Sequence, residues 1–265
     1  MKLLRERIEN ALCAYMTEDA SAPLLNEAMA YSLLDGGKRI RPCLLLLVNK
    51  MLGGSEHTAM PFACALEMVH CYSLIHDDLP AMDNDAMRRG KPSNHVRFGE
   101  ANAILAGDGL LTKAGVLLLS QAGYDEAKRA IFTGAYAMVS GQSDDLNLSE
   151  RSAEVLERIH LNKTGALFRA ACAAGAYLSD PEKAEEMSAF GDTLGLLFQM
   201  TDDLLDEEKD RLENKLTYVT FYGREETRSF VADAAKRAEE ILRPYRGEEA
   251  ETLRELINTL RSRTY

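Results

Sequence analysis

Four aspartates fall within nine residues in Asp77-Asp78-Leu79-Pro80-Ala81-Met82-Asp83-Asn84-Asp85, which closes an apolar, helix-patterned run. Carboxylates this close repel one another unless water or cations neutralise them. Oxygen ligands in that number suit Mg²⁺, which keeps several waters and completes its shell with carboxylates and substrate phosphates. Pro80 cannot continue a regular helix, so the chain should bend after Asp78 and bring Asp83 back towards the helix end that carries Asp77. A solvated acidic loop is the competing reading of such a run. A second cluster, Phe198-Gln199-Met200-Thr201-Asp202-Asp203-Leu204-Leu205-Asp206, tips the balance towards metal. Asp202 and Asp206 are four apart and share one helix face. Two acidic helix ends could then face each other across a cavity with metal ions between them. An EF-hand at Asp83-Asn84-Asp85 fails, because Met87 stands where an oxygen ligand is needed and Arg88 where the loop needs glycine.

The elements that must position these residues read as helices. Helical periodicity recurs and no sustained two-residue alternation appears, so no strand is expected. An amphipathic helix covers 2–16, and another runs to about Leu34 before Gly36-Gly37 breaks it. A third over 39–52 stops at Gly53-Gly54. Residues 58–78 carry Met68, Tyr72 and Ile75 on one side and Leu66, Val69 and Ser73 on an adjoining one. A helix apolar nearly all round belongs in the middle of a bundle. Further helices are expected over 99–121, 124–140, 150–161, 164–178, 182–206, 225–243 and 247–262. The expectation is an all-α fold, one domain over 1–265, built as a large bundle around a deep central cavity.

Composition narrows the function. With 265 residues, 46% of them hydrophobic, the chain can bury one sizeable core. A net charge of −11 and the lack of a basic stripe argue against a nucleic-acid partner. Cys13, Cys43, Cys64, Cys71 and Cys172 have no CxxC spacing and read as buried thiols of a reducing cytosol. The opening Met1-Lys2-Leu3-Leu4-Arg5-Glu6-Arg7 lacks the apolar core of a signal peptide. The longest purely apolar run, Cys43 to Val48, is too short to span a membrane. A cytoplasmic location follows as the expectation.

The two aspartate motifs, with Gly36-Gly37-Lys38-Arg39-Ile40-Arg41-Pro42 and Lys163-Thr164-Gly165, resemble the trans-prenyltransferases, or polyprenyl diphosphate synthases, especially the bacterial farnesyl diphosphate synthases. One DDxxD is weak evidence, whereas two in order with the basic motifs are specific. The resemblance runs from about Gly36 to about Gly223. It implies an isoprenoid-synthase bundle that condenses an allylic diphosphate with isopentenyl diphosphate, using Mg²⁺ (three ions with substrate bound). Asp77, Asp83 and Asp202 are the foremost metal-ligand candidates, with Asp78 and Asp206 as ligands or supports. By the same resemblance Arg88, Lys163, Thr164, Gln199 and Lys215 line the departing diphosphate. Arginine suits that task because its planar fork meets two oxygens at once. Lys38, Arg41, His70 and Arg89 match the pocket for isopentenyl diphosphate. On an apolar helix His70 could equally be a satisfied core histidine. Gly141-Gln142-Ser143-Asp144-Asp145-Leu146 resembles the family's Gly-Gln-x-x-Asp segment, and Gln142 either faces the hydrocarbon or packs between helices.

Tyr72 lies five positions before Asp77, roughly 7.5 Å down the helix. A growing chain descending beside that helix would meet its ring, while the small Ser73 would let it pass. The resemblance to the bacterial short-chain enzymes implies a fifteen-carbon product, with geranylgeranyl diphosphate as the alternative and a non-catalytic partner subunit as another. Residues 99–121 carry Ile104, Leu105, Leu110, Leu111, Val116, Leu117, Leu118 and Leu119, more apolar surface than one side of a helix needs, and a homodimer is expected. The chain departs from the family pattern after Asp206, and less so after Asp145, where it is short. Either the sequence in hand omits residues there or the protein lacks a diphosphate-gripping lysine; the intactness of the other motifs points to omission.

Overall fold

The structure, a computed structural model, describes residues 1–17, 22–148 and 150–263, apart from the Lys209 side chain. The chain groups into two compact units: residues 1–46 with 56–124, and residues 47–55 with 125–265.

In the first unit, α1 (Lys2–Thr17), α2 (Pro23–Leu33) and the start of α3 (Ile40–Met51) accompany α4 (Glu56–Asp77) and α6 (Glu100–Leu119). α4 packs against α1, α2 and α6. Its interior position is visible in the run Phe62, Ala63, Cys64, Ala65, Leu66, Glu67, Met68 and Val69, all buried. Buried side chains of Leu, Met or Phe size contribute roughly 1.5–3 kcal/mol each, so the helix bearing the first acidic motif is anchored along its length. α6 is one-sided: Ala103, Ala106, Leu110, Ala114 and Leu118 are buried, while Ile104, Leu105, Val116 and Leu119 lie exposed. By length and composition α4 and α6 could each cross a membrane, but most of α4 is buried within the protein.

One expectation fails here. A two-residue hairpin, β1 (Met87–Arg88) with β2 (Lys91–Pro92), follows the first motif, and a short α5 (Asn94–Phe98) leads into α6. Arg89 and Gly90 between the strands have φ of 53° and 81°, the positive pair that a two-residue type I′ connection requires. Two-residue strands are too short to show alternation, so the sequence pattern could not reveal them.

The second unit places α9 (Ala166–Tyr177) between α7 (Asp125–Leu146) and α10 (Ala184–Leu205), with α13 (Arg224–Leu242) and α14 (Glu248–Arg261) also against α10. α7 runs to Leu146 rather than to 140, so the Gln142 segment is helical. α8 (Ala153–His160) passes into α9 without a break, through a π-helical turn at Leu161–Gly165. α11 (Glu207–Leu212) and α12 (Tyr218–Tyr222) fill the stretch after the second motif. The backbone there is continuous, with Asp210 N–H donating to Asp206 C=O at 2.9 Å and Lys215 N–H to Asp210 C=O at 2.9 Å. Among the cysteines Cys43, Cys64, Cys71 and Cys172 are buried as expected, but Cys13 is exposed. Burial pushes the Cys43, Cys64 and Cys71 thiols up to about 12, so they stay protonated and inert.

Candidate active site

The first motif bends as Pro80 requires. Asp83 N–H donates to Asp77 C=O at 2.8 Å, and Asn84, at φ 52°, donates to Leu79 C=O at 3.1 Å. Asp83 is exposed and Asp77 half-buried, whereas Asp78 is buried. The hairpin explains the difference. Arg88 Nε donates to both Asp78 carboxylate oxygens, at 3.0 and 3.2 Å, and its Nη2 adds a third bond. Burial pushes the Asp78 carboxyl up, and the Arg88 guanidinium opposes that shift. Asp78 thus holds Arg88, while Asp83 lies exposed and Asp77 half-buried.

The next residue of the same hairpin serves a different group. Arg89 donates to Gly36 C=O at 2.6 Å, and its guanidinium lies over Gly37, where a Cβ would come within 2.9 Å of Cζ. Gly37 has φ +117°, so side chains are excluded there on two grounds. Arg41 lies 3.3 Å from His70 Nε2. An arginine has no acceptor, so Nε2 must accept and the histidine proton sits on Nδ1. Burial, then Arg41 and Arg89, hold His70 well below its ordinary value. The expectation for His70 is refined: it joins the basic cluster as a neutral ring that orients Arg41. Arg39, between the two candidate ligands, is buried against Glu67 at 2.6 Å and Leu33 C=O at 2.6 Å. Lys38 beside it is exposed. One side chain anchors the turn and its neighbour reaches out.

In the second unit the π turn presents Lys163 and Thr164. Lys163 Nζ donates to Asp145 at 2.6 Å, and Thr164 Oγ1 donates to Gln199 Oε1 at 2.6 Å. Gln199 in turn donates to Asp203 at 2.8 Å, and Tyr218 N–H donates to the other Asp203 oxygen at 2.8 Å. Asp203 is buried, which pushes its carboxyl up to about 7 against the pull of Gln199 and of the Tyr218 amide. It ties α10 to the start of α12 and fixes the Gln199 amide. Sequence reasoning passed over it because its spacing, one residue from Asp202, hides the fact that it faces inward.

Close backbone contact sets the π turn. A Cβ on Gly141 would lie 2.3 Å from Lys163 N, and one on Gly195 would lie 2.5 Å from Gly165 Cα. Gln142 has both amide atoms buried without a hydrogen-bond partner, an unmet polar demand. Asp202 is half-buried, and Arg263 Nη1 donates to its Oδ1 at 2.7 Å. Asp206 is exposed. Lys215, expected on the diphosphate, pairs with Glu213 at 2.8 Å at the surface.

The donor sets fit Mg²⁺. Each unit offers carboxylates close along the chain, and Mg²⁺ binds through one or two of them plus waters and phosphates. Among the described residues no three His, Cys, Asp or Glu side chains form a group that could hold a metal by themselves.

Comparison with known proteins agrees with this geometry. The family profile described as Polyprenyl synthetase matches residues 22–260. Farnesyl diphosphate synthase of Geobacillus stearothermophilus is 42% identical, over 88% of this chain and 88% of that one. The large subunit 1 of a heterodimeric geranylgeranyl pyrophosphate synthase of Arabidopsis thaliana is 41% identical, over 91% of this chain and 74% of that protein. The latter match extends over 275 positions although this chain has 265 residues, so this chain is internally the shorter of the two. A solved geranyltranstransferase from Thermotoga maritima superposes with TM-score 0.86 at 34% identity, covering 99% of each chain. With the family profile matching residues 22–260 and the fold shared along nearly its whole length, the chain belongs to the polyprenyl synthetase family.

Proposed function

We propose that this short-chain trans-prenyltransferase uses Mg²⁺ to join dimethylallyl and then geranyl diphosphate to isopentenyl diphosphate, with farnesyl diphosphate as its main product. The carrying observation is the pairing of functions within the first unit. The half-buried Asp77 and exposed Asp83 suit a metal-bound diphosphate, while Arg41, Arg89 and Lys38 around the Gly36-Gly37 turn suit an anion held without metal. Asp202 and Asp206 are proposed as metal ligands of the second unit, with Asp78 as the support of Arg88. Bound Mg²⁺ would act as a Lewis acid towards the departing diphosphate.

The residues have distinct tasks. Arg88, Lys163 and Thr164 hold oxygens of the allylic diphosphate as its bond to carbon breaks and negative charge collects there. Gln199 orients the Thr164 hydroxyl. Lys215 joins that set only after leaving Glu213. The allylic cation takes the double-bond electrons of isopentenyl diphosphate, and the proton released goes to the departed diphosphate. The Gln142 amide oxygen would face the positive charge. The buried Tyr72 ring, edge-on to His76 at a centroid distance of 5.8 Å, supports a floor at fifteen carbons, whereas the small Ser73 beside it would not stop a chain.

A twenty-carbon product is the second reading, favoured by the 41% identity to the geranylgeranyl enzyme subunit. The exposed apolar face of α6 supports a homodimer, and the cytoplasm is the proposed place of action. Incubating purified protein with dimethylallyl and isopentenyl diphosphates and Mg²⁺, then sizing the products, tests the activity and the product length. A fifteen-carbon product lost on chelation supports the proposal; mainly twenty carbons selects the second reading. No product with or without Mg²⁺ would falsify the proposed activity.

A further inference from the structure

We infer that Arg263 is a built-in counter-cation for Asp202, holding that carboxylate closed to Mg²⁺ until a diphosphate arrives to take the guanidinium. The inference rests on the proposed metal role of Asp202. Arg263 follows the end of α14, where Ser262 N–H donates to Asn258 C=O at 3.0 Å and Arg263 N–H to Leu260 C=O at 3.3 Å. Its guanidinium donates to Asp202 Oδ1 at 2.7 Å and lies 5.3 Å from the Phe198 ring centroid. The side chain is only 16% exposed, so the contact is not one of the solvent-swept surface pairs that contribute little.

The electrostatics set the direction of the effect. A carboxylate oxygen already accepting a charge-assisted bond is a poorer metal ligand. A dication entering beside a fixed monocation also meets repulsion that water screens only partly at this burial. Mg²⁺ alone must therefore displace Arg263. A diphosphate changes the balance, because its oxygens offer the planar guanidinium a bidentate partner in place of Asp202.

The structure gives the displaced side chain somewhere to go. Arg263 also borders a cavity of about 990 Å³ lined by Arg211, Arg224, Arg228 and Arg261, with Leu204 and Val231 among its apolar residues. The cations there are engaged with local acids: Glu207 takes both Arg211 and Arg224, and Arg228 pairs with Glu225. The same cavity is also lined by Asp206, Glu207 and Glu208, so the released arginine meets open volume with carboxylates in it, and a diphosphate must outcompete them through its higher charge and paired oxygens. Diphosphate is the partner that completes the exchange. Metal and substrate would load at Asp202 together, and metal without substrate would load poorly.

The test is isothermal titration of Mg²⁺ into purified protein, first without substrate and then with inorganic diphosphate. Arg263→Ala should bind Mg²⁺ about five- to tenfold more tightly than the parent without diphosphate, as expected for losing one competing charge-assisted contact. Arg263→Lys, which keeps the charge, should stay near the parent, and a helical circular-dichroism spectrum confirms that each variant folds. Diphosphate should close the gap. If Asp202→Asn weakens Mg²⁺ binding but Arg263→Ala does not tighten it, the counter-cation role is overturned while the metal role stands. If Asp202→Asn leaves Mg²⁺ binding unchanged, the metal role of Asp202 fails and the inference fails with it. A gap undiminished by diphosphate overturns the exchange.

Discussion

Replacing Gly141 by alanine tests whether the π turn positions the chemistry. The added Cβ would stand 2.3 Å from Lys163 N and 2.8 Å from both the carbonyl carbon and the Cβ of Asn162. Two of these three atoms are backbone, so no side-chain rotation can relieve the clash. Carbon needs about 3.5 Å to reach ordinary contact, so the turn or α7 must move by roughly 1 Å. Overpacking on that scale costs about 1–3 kcal/mol, and a 1 Å misplacement of a catalytic group can cost about 100-fold in rate. Thermal unfolding should therefore fall by several degrees, and kcat should fall by up to about 100-fold with the allylic substrate saturating. KM for isopentenyl diphosphate should hold, because its candidate ligands Lys38, Arg41 and Arg89 belong to the other unit. Ser140→Ala, one residue away, with its hydroxyl donating to Tyr136 C=O of its own helix at 3.0 Å, is the control. A Gly141→Ala protein with parental melting temperature and kcat would refute the reasoning, since it would show that the close approach constrains nothing.

Other consequences follow from neighbouring contacts. Asp77→Ala should lower kcat by orders of magnitude with the fold intact, whereas Asp78→Ala should also lose roughly 1–3 kcal/mol by stranding Arg88; equal denaturation midpoints for the two would contradict the division between them. Tyr72→Ala should lengthen the product to twenty carbons or more, and an unchanged fifteen-carbon product would place the floor elsewhere. His160 is buried, which lowers it from an ordinary 6.5 to about 4 even though Asp145 pulls it upward. The unfolded chain takes up that proton first, so this stability is present above about 6.5 and drains away as pH falls to about 4, reaching about 3 kcal/mol. Urea unfolding of the parent and of His160→Gln between pH 7.5 and 4 isolates it from the opposing titration of Asp203. The advantage of the parent over the variant should shrink by about that amount, and a constant difference would contradict a neutral buried ring.

Much of this protein is legible in one dimension. The apolar run of α4 and the 3.6-residue periodicity of α10 each report a packing constraint, so the helices and their acidic ends read directly from the chain. Pro80 and the i, i+4 placement of Asp202 and Asp206 are equally local, and the bend that returns Asp83 to Asp77 follows from them. Local rules could not show the partner of each charge. Asp77 and Asp78 are adjacent and chemically identical, yet Asp78 is the one buried beneath the Arg88 guanidinium, while a type I′ turn sends Arg88 and Arg89 in different directions. Arg39 and Arg41 divide likewise into a buried anchor for Glu67 and a ligand candidate braced by His70. The π turn needs Gly141 from one helix and Gly195 from another, and Asp202 meets Arg263, 61 residues further along. These outcomes depend on which groups folding removes from water and which opposite charge then lies within about 3 Å, and both are fixed only when distant segments pack.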